Sequence, residues 1–236
     1  MHYIPILSTL VTFAFAVAVF RRYLLRRGPH LLIWAVGLLW YGLGTLSEVI
    51  LGLTFSSPVL KLWYLSGAML TAAWLGQGTL HLLVRRRAVA WVVTGILAAV
   101  SLLAAVLVGL APLTPAAAAY QVAQPISSQY QAILTRSGGI IALTILLNIY
   151  GTLTMVGGAI FSAFLFWRKR VLFNRLIGNI LIAAGALAPA MGGSFIRIGL
   201  VDMLYLTELV GAVLMYIGFL QATTAPASET VPAASV

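Results

Sequence analysis

The sequence predicts an all-α fold, a polytopic membrane bundle of seven transmembrane helices with the N-terminus outside and the C-terminus cytoplasmic. Three observations predict it. Of 236 residues, 62% are hydrophobic and 8% charged, with a mean hydropathy of +1.06. Soluble domains are about 45–50% apolar and about 25% charged, so this chain is too poor in charge to build a polar surface. Its apolar residues fall into seven long runs, and its basic residues cluster between alternate runs.

A helix needs about 20 apolar residues to cross a hydrocarbon core of about 30 Å. The windows are Ile4–Phe20, Leu31–Leu53, Leu62–Val84, Ala88–Ala111, Gly139–Trp167, Ile177–Ile196 and Gly199–Leu220. The first is short unless it borrows Tyr23 to Leu25, and the fifth is long enough to tilt or protrude. Runs this continuous exclude a membrane β-barrel, whose strands alternate over about ten residues. The first run is not a signal peptide, whose positive charge precedes its apolar stretch. Here Arg21, Arg22, Arg26 and Arg27 follow it.

The positive-inside rule sets the orientation. With the N-terminus outside, the inner loops hold Arg21, Arg22, Arg26 and Arg27, then Arg85, Arg86 and Arg87, then Arg168, Lys169, Arg170 and Arg175. Lys61, Arg136 and Arg197 are left outside, and the bias alternates at every loop. The net charge of +10 is therefore a topology signal. A nucleic-acid partner is not expected, because such proteins spread their cations along a soluble face.

One connection is long. Pro112 to Gly138 starts with a Pro/Ala-rich stretch, and after Pro125 the residues Ile126, Tyr130, Ile133 and Leu134 recur at helical spacing. It reads as a short helix on the membrane surface or capping the bundle, or as an ordered loop. Residues 1–221 form one transmembrane domain, and 222–236 form a disordered cytoplasmic tail of low complexity. No soluble signalling or catalytic domain is expected. The arrangement of three helices, a fourth, then three more permits a parallel repeat of the kind found in small three-plus-one-plus-three transporters. The two triplets share no convincing residue similarity, and the Pro-Gln signature of that family is missing.

With no cysteine in the chain, disulfides, thiolate metal sites and cysteine nucleophiles are excluded. The candidate site rests on ionisable groups at membrane depth, which are costly there and so mark function by default. Trp34, Gly37, Tyr41, Gly44 and Glu48 share one face of the second helix. Glu48 is then either a carboxylate in a pocket open to the outside or a protonated or paired member of a packing stripe. The third helix carries Tyr64, Gly67, Thr71, Trp74, Gly78 and His81 at matching spacing, with Gln77 beside them. His81 as a metal or haem ligand stands alone, and one ligand makes a poor site. On the last helix Asp202, Tyr205 and Glu208 lie three apart, with Arg197 just upstream. Glu208 is at much the depth of Glu48, while Arg197 and Asp202 read as an ion-pair network closing the outer end. Thr144, Asn148, Thr152 and Met155 on the fifth helix, and Gly178, Gly185, Pro189 and Gly192 on the sixth, are explained by interhelical packing. Pro189 is expected to kink or loosen its helix.

The chain lacks the Schiff-base lysine that a retinal protein needs on its last helix, and it has no DRY-like or NPxxY-like motif. The stretches WAVGLLWYGLGTLSEVI and LWYLSGAMLTAAWLGQGTLHLLVRRR, within Leu31–Arg87, are similar to ones in uncharacterised bacterial seven-helix integral membrane proteins of this size. The resemblance implies a bacterial inner (plasma) membrane protein and brings no activity with it.

No nucleophile–base pair, phosphate loop or metal cluster can be assembled, so an enzyme is not expected, nor a cofactor or metal. The leading expectation is a small-molecule or ion transporter with a carboxylate site in the outer half. Glu48 and Glu208 form its ionisable centre, and Tyr41, Tyr64, Trp74 and Tyr205 its walls. The alternatives are a non-catalytic subunit or anchor in a complex with other membrane subunits, and a ligand sensor acting through a separate cytoplasmic partner. The lipid bilayer is a partner in every case.

Overall fold

Seven long helical rods account for most of the chain, in a computed structural model that describes residues 3–122, 124–169, 173–197 and 202–223. Helix α1 is Tyr3–Arg26 and does borrow the residues beyond Phe20. It stops where Arg27 turns left-handed at φ 52° and Gly28-Pro29 follows. Proline is favoured at a helix's first position, where its missing N–H costs nothing. It starts α2, Pro29–Leu51.

The third rod departs from a plain α-helix. Helix α3, Ser57–Trp63, runs without a break into a π-helical segment, Tyr64–Leu70, and then into α4, Thr71–Leu83. The wider turn is stitched by side chains: Thr71 Oγ1 donates to the Ser66 carbonyl five residues back at 2.8 Å, and Asn148 Nδ2 donates to the Ala68 carbonyl at 2.7 Å. Helix α5 is Arg87–Leu110. A 3-10 turn, Pro115–Ala119, and α6, Ile126–Ile133, follow in the long connection. Helices α7, Gly138–Lys169, α8, Phe173–Arg197, and α9, Asp202–Thr223, complete the chain.

Among the described residues, five helices, α1, α2, α5, α7 and α9, are long and apolar enough to cross a membrane. Their free faces carry large apolar side chains such as Leu10, Val92, Ile96, Leu102, Leu146 and Leu153. A soluble monomer does not expose a surface of that kind, whereas lipid requires it.

Side-chain contacts give the order and sense of the rods. Thr9 meets Thr45, and Phe13 meets Gly42, so α1 and α2 are antiparallel. Glu48 meets Trp63, Gly44 meets Gly67, and Gly37 meets Leu75, so the third rod returns against α2. The next neighbour is not α5 but α7. Tyr64 meets Thr144, Ala68 meets Asn148, and Ala72 meets Gly151, a parallel pairing. Helix α8 packs antiparallel on α9 through Gly178 against Gly218 and Gly185 against Gly211. Helix α9 closes the ring beside α1, again in parallel: Phe15 stacks on Tyr216 at 5.0 Å, and Arg22 Nη2 donates to the Thr223 carbonyl at 3.1 Å. Six rods thus form a ring with two parallel seams, α4/α7 and α1/α9. Helix α5 lies outside it, bonded through Trp74 to Ser101 and through Gln77 to Thr94.

Helix α6 caps one end. Its Ile126 and Ile133 are each 2% exposed, buried among Leu60, Trp63, Tyr64 and Leu70. Of the sequence alternatives for this segment, the capping helix is the one observed. Tyr120 anchors the connection by donating to the Leu51 carbonyl at 2.8 Å, and this burial raises its hydroxyl above the usual tyrosine range.

Candidate functional site

Between the capped end and the apolar far half of the ring lies a cavity of about 290 Å³. The α2 stripe serves it in two ways. Gly37 and Gly44 have no side chain because the third rod occupies that space, Leu75 N lying 2.8 Å from where a Gly37 Cβ would be. This close approach turns Tyr41 and Glu48, on the same face, toward the cavity. Glu208 reaches it from α9, and Tyr41 Oη donates to the Glu208 carbonyl at 2.8 Å, tying α2 to α9.

Glu48 is 4% exposed. Its Oε1 accepts from Trp63 Nε1 at 2.9 Å, while its Oε2 and the Glu208 Oε2 are buried without a protein donor. Both carboxyls line the same cavity. Carboxylate oxygens accept and do not donate, so these two oxygens call for a proton, a cation or a donor from whatever fills the cavity. Ser127 Oγ, on α6, is a third buried oxygen without a partner and also lines the cavity. Among the described residues no cation pairs with either acid. Lys61 donates to the Gly109 carbonyl at 2.7 Å, and the Arg136 guanidinium lies 5.1 Å over the Tyr130 ring.

The remaining expected wall residues sit elsewhere. Tyr64 is 2% exposed, with its hydroxyl on Thr144 Oγ1 at 3.0 Å, and is not among the lining residues. Trp74 donates to Ser101 Oγ at 3.1 Å, toward α5. On α4, Leu75 and Gly78 face α2, whereas Trp74, Gln77 and His81 face α5. The single stripe read from the sequence is therefore two adjacent faces. Tyr205 is half-buried and not among the cavity-lining residues. The side chains of Arg197, Asp202 and Gly192 lie outside the described residues.

Other cavity groups carried weaker sequence signals. Asn148 and Met155 line it, although hydrogen bonding and packing alone explain their spacing. Asn148 Nδ2 donates to the Ala68 and Thr144 carbonyls. Trp63 was missed as a donor because nothing at a separation of 15 residues links it to Glu48. Ser127 and Tyr130 belong to the segment whose helical spacing was visible, but its insertion into the bundle was not. Leu75, Met155, Val156, Ala186 and Met215 make the floor apolar. His81 hydrogen-bonds Thr94 Oγ1 at 2.7 Å beside Trp91, and no three candidate metal ligands come together among the described residues.

No protein-family model, curated protein or solved structure matches the chain.

Proposed function

We propose that this chain is a seven-span integral membrane protein of a bacterial inner membrane, N-terminus outside, that transports a small solute by proton exchange at Glu48 and Glu208. The observation that carries the reading is the pair of buried carboxyl oxygens without donors in one cavity. A buried carboxylate left unpaired costs several kcal/mol, so a bundle keeps two of them only where something neutralises them. A proton does so in the empty state and a solute displaces it. That exchange couples solute to proton movement.

The seven-span count draws support from the ring. The third rod and α8 lie alongside α7 and α9 over several turns, so they cover the same depth as their neighbours. With α1 and α9 parallel, both chain ends fall on opposite faces, as the basic loops require. The acids come from different triplets, α1 to α4 and α7 to α9, and the cavity lies between the triplets.

The test is proton flux into liposomes carrying an internal pH dye, with alkylammonium ions, alcohols, sugars, amino acids and carboxylates added in turn. At least one class is expected to drive flux through the wild type, and Glu48→Gln to abolish it. Flux unchanged in Glu48→Gln, or no flux with any class, would sink the transport reading.

A further inference from the structure

We infer that the cavity is built for a small amphiphilic cation, an ammonium ion carrying one compact apolar group. The inference rests on the carboxyl pair being the binding centre and names what that centre takes.

The polar end of the cavity is rich in acceptors and poor in donors. Glu48 Oε2, Glu208 Oε2 and the Ser127 hydroxyl are without partners, whereas most donors nearby are spent. The Trp63 N–H serves Glu48, the Tyr41 hydroxyl serves the Glu208 carbonyl, and the Thr71 hydroxyl serves Ser66. An ammonium group brings three donors and the missing positive charge. A carboxylate or phosphate solute would face two acids and, among the described residues, no cation. A neutral solute could not displace the protons that neutralise the acids.

The other end is apolar. Leu75, Met155 and Met215 form its floor and also border a smaller void lined by Phe15, Val19 and Phe219. A bare inorganic cation wants six or more oxygens around it, which this lining offers on one side only. About 290 Å³ is at the small end of ordinary ligand pockets, so the apolar group is compact, about the size of one ring. The Trp63 and Tyr130 rings, edge to face at 5.2 Å, border the polar end and add aromatic surface for a cation.

The experiment compares benzylammonium, benzyl alcohol and benzoate by calorimetric titration of the full chain in nanodiscs, with empty nanodiscs subtracted. Benzylammonium is expected to bind saturably, and the other two about thirtyfold more weakly or not at all. Glu208→Gln and Glu48→Gln should each weaken benzylammonium by a similar factor, while Gly95→Ala on α5 leaves it unchanged. Equal binding of the alcohol, preferential binding of benzoate, or displacement of benzylammonium by sodium at matched ionic strength would overturn the inference. If a Gln variant fails to fold, the three wild-type titrations still decide. Binding without proton flux would leave this inference standing and sink transport; flux driven by other solutes, with no benzylammonium binding, would do the reverse.

Discussion

Gly151→Ala tests whether the α4/α7 seam holds the site together. A Cβ at this position would overlap the Ala72 carbonyl and lie 2.6 Å from Ala73 N, so it meets backbone that no rotamer change can move. Ordinary carbon contacts need about 3.5–4.0 Å, so the two helices must part by about 1 Å. Overpacking of that kind costs about 1–3 kcal/mol. Parting the helices also strains the Asn148–Ala68 and Tyr64–Thr144 bonds, each contributing about 1 kcal/mol. The alanine recovers about 1 kcal/mol of helix propensity. The net expectation is a loss of about 1–4 kcal/mol. Gly95→Ala is the control, because nothing lies within 4 Å of its added methyl. Thermal unfolding followed by tryptophan fluorescence should rank Gly95→Ala at or above wild type and Gly151→Ala clearly below. Equal stability of the two variants would refute the seam as described.

Gln77→Leu removes the acceptor of the Tyr150 hydroxyl and the donor to Thr94 and Ala90 at a site that is 0% exposed. It should cost about 2 kcal/mol in the same assay, and much less in a Tyr150→Phe background, where no orphaned hydroxyl remains. Tyr120 gives a pH signature. Because burial raises its folded value, the folded state holds its proton more tightly than the unfolded state does. Its contribution is complete below about pH 10 and is lost as pH rises from there through the folded value. Wild type should therefore lose stability across that alkaline window, relative to Tyr120→Phe, in thermal unfolding at stepped pH.

The helical rods were legible because lipid imposes one rule everywhere: apolar side chains outward and every backbone bond made internally. Borrowed residues at the end of α1, and a helix after Pro125, followed from composition and spacing alone. Similar depth of Glu48 and Glu208 could be counted along their helices, but their meeting in one cavity could not. It depends on which glycine faces which backbone, as at Gly44 against Gly67, and such matches leave no mark at fixed sequence separation. The wall residues expected on the third helix met a different obstacle. A period of 3.6 spreads one stripe over a wide arc, and it cannot tell the α2 side, with Leu75 and Gly78, from the α5 side, with Trp74. Nor does it register the π turn just before them. The placement of α5 outside the ring was illegible because neighbours in sequence are usually neighbours in space, and α4 with α7 breaks that habit.

The two parallel seams are unequal, and this gives the bundle a mechanical axis. At α4/α7 the backbones touch through Gly76 and Gly151, Gly158 takes the Thr79 and Leu83 side chains, and Tyr150 bolts the seam to Gln77. At α1/α9 the joint is made of Phe15 stacked on Tyr216 and tilted against Phe219, and one guanidinium on the Thr223 carbonyl. Relative rotation of the two triplets is therefore cheapest with α4/α7 as the hinge and α1/α9 as the parting edge. Glu48 and Glu208 line one cavity from opposite leaves of that hinge.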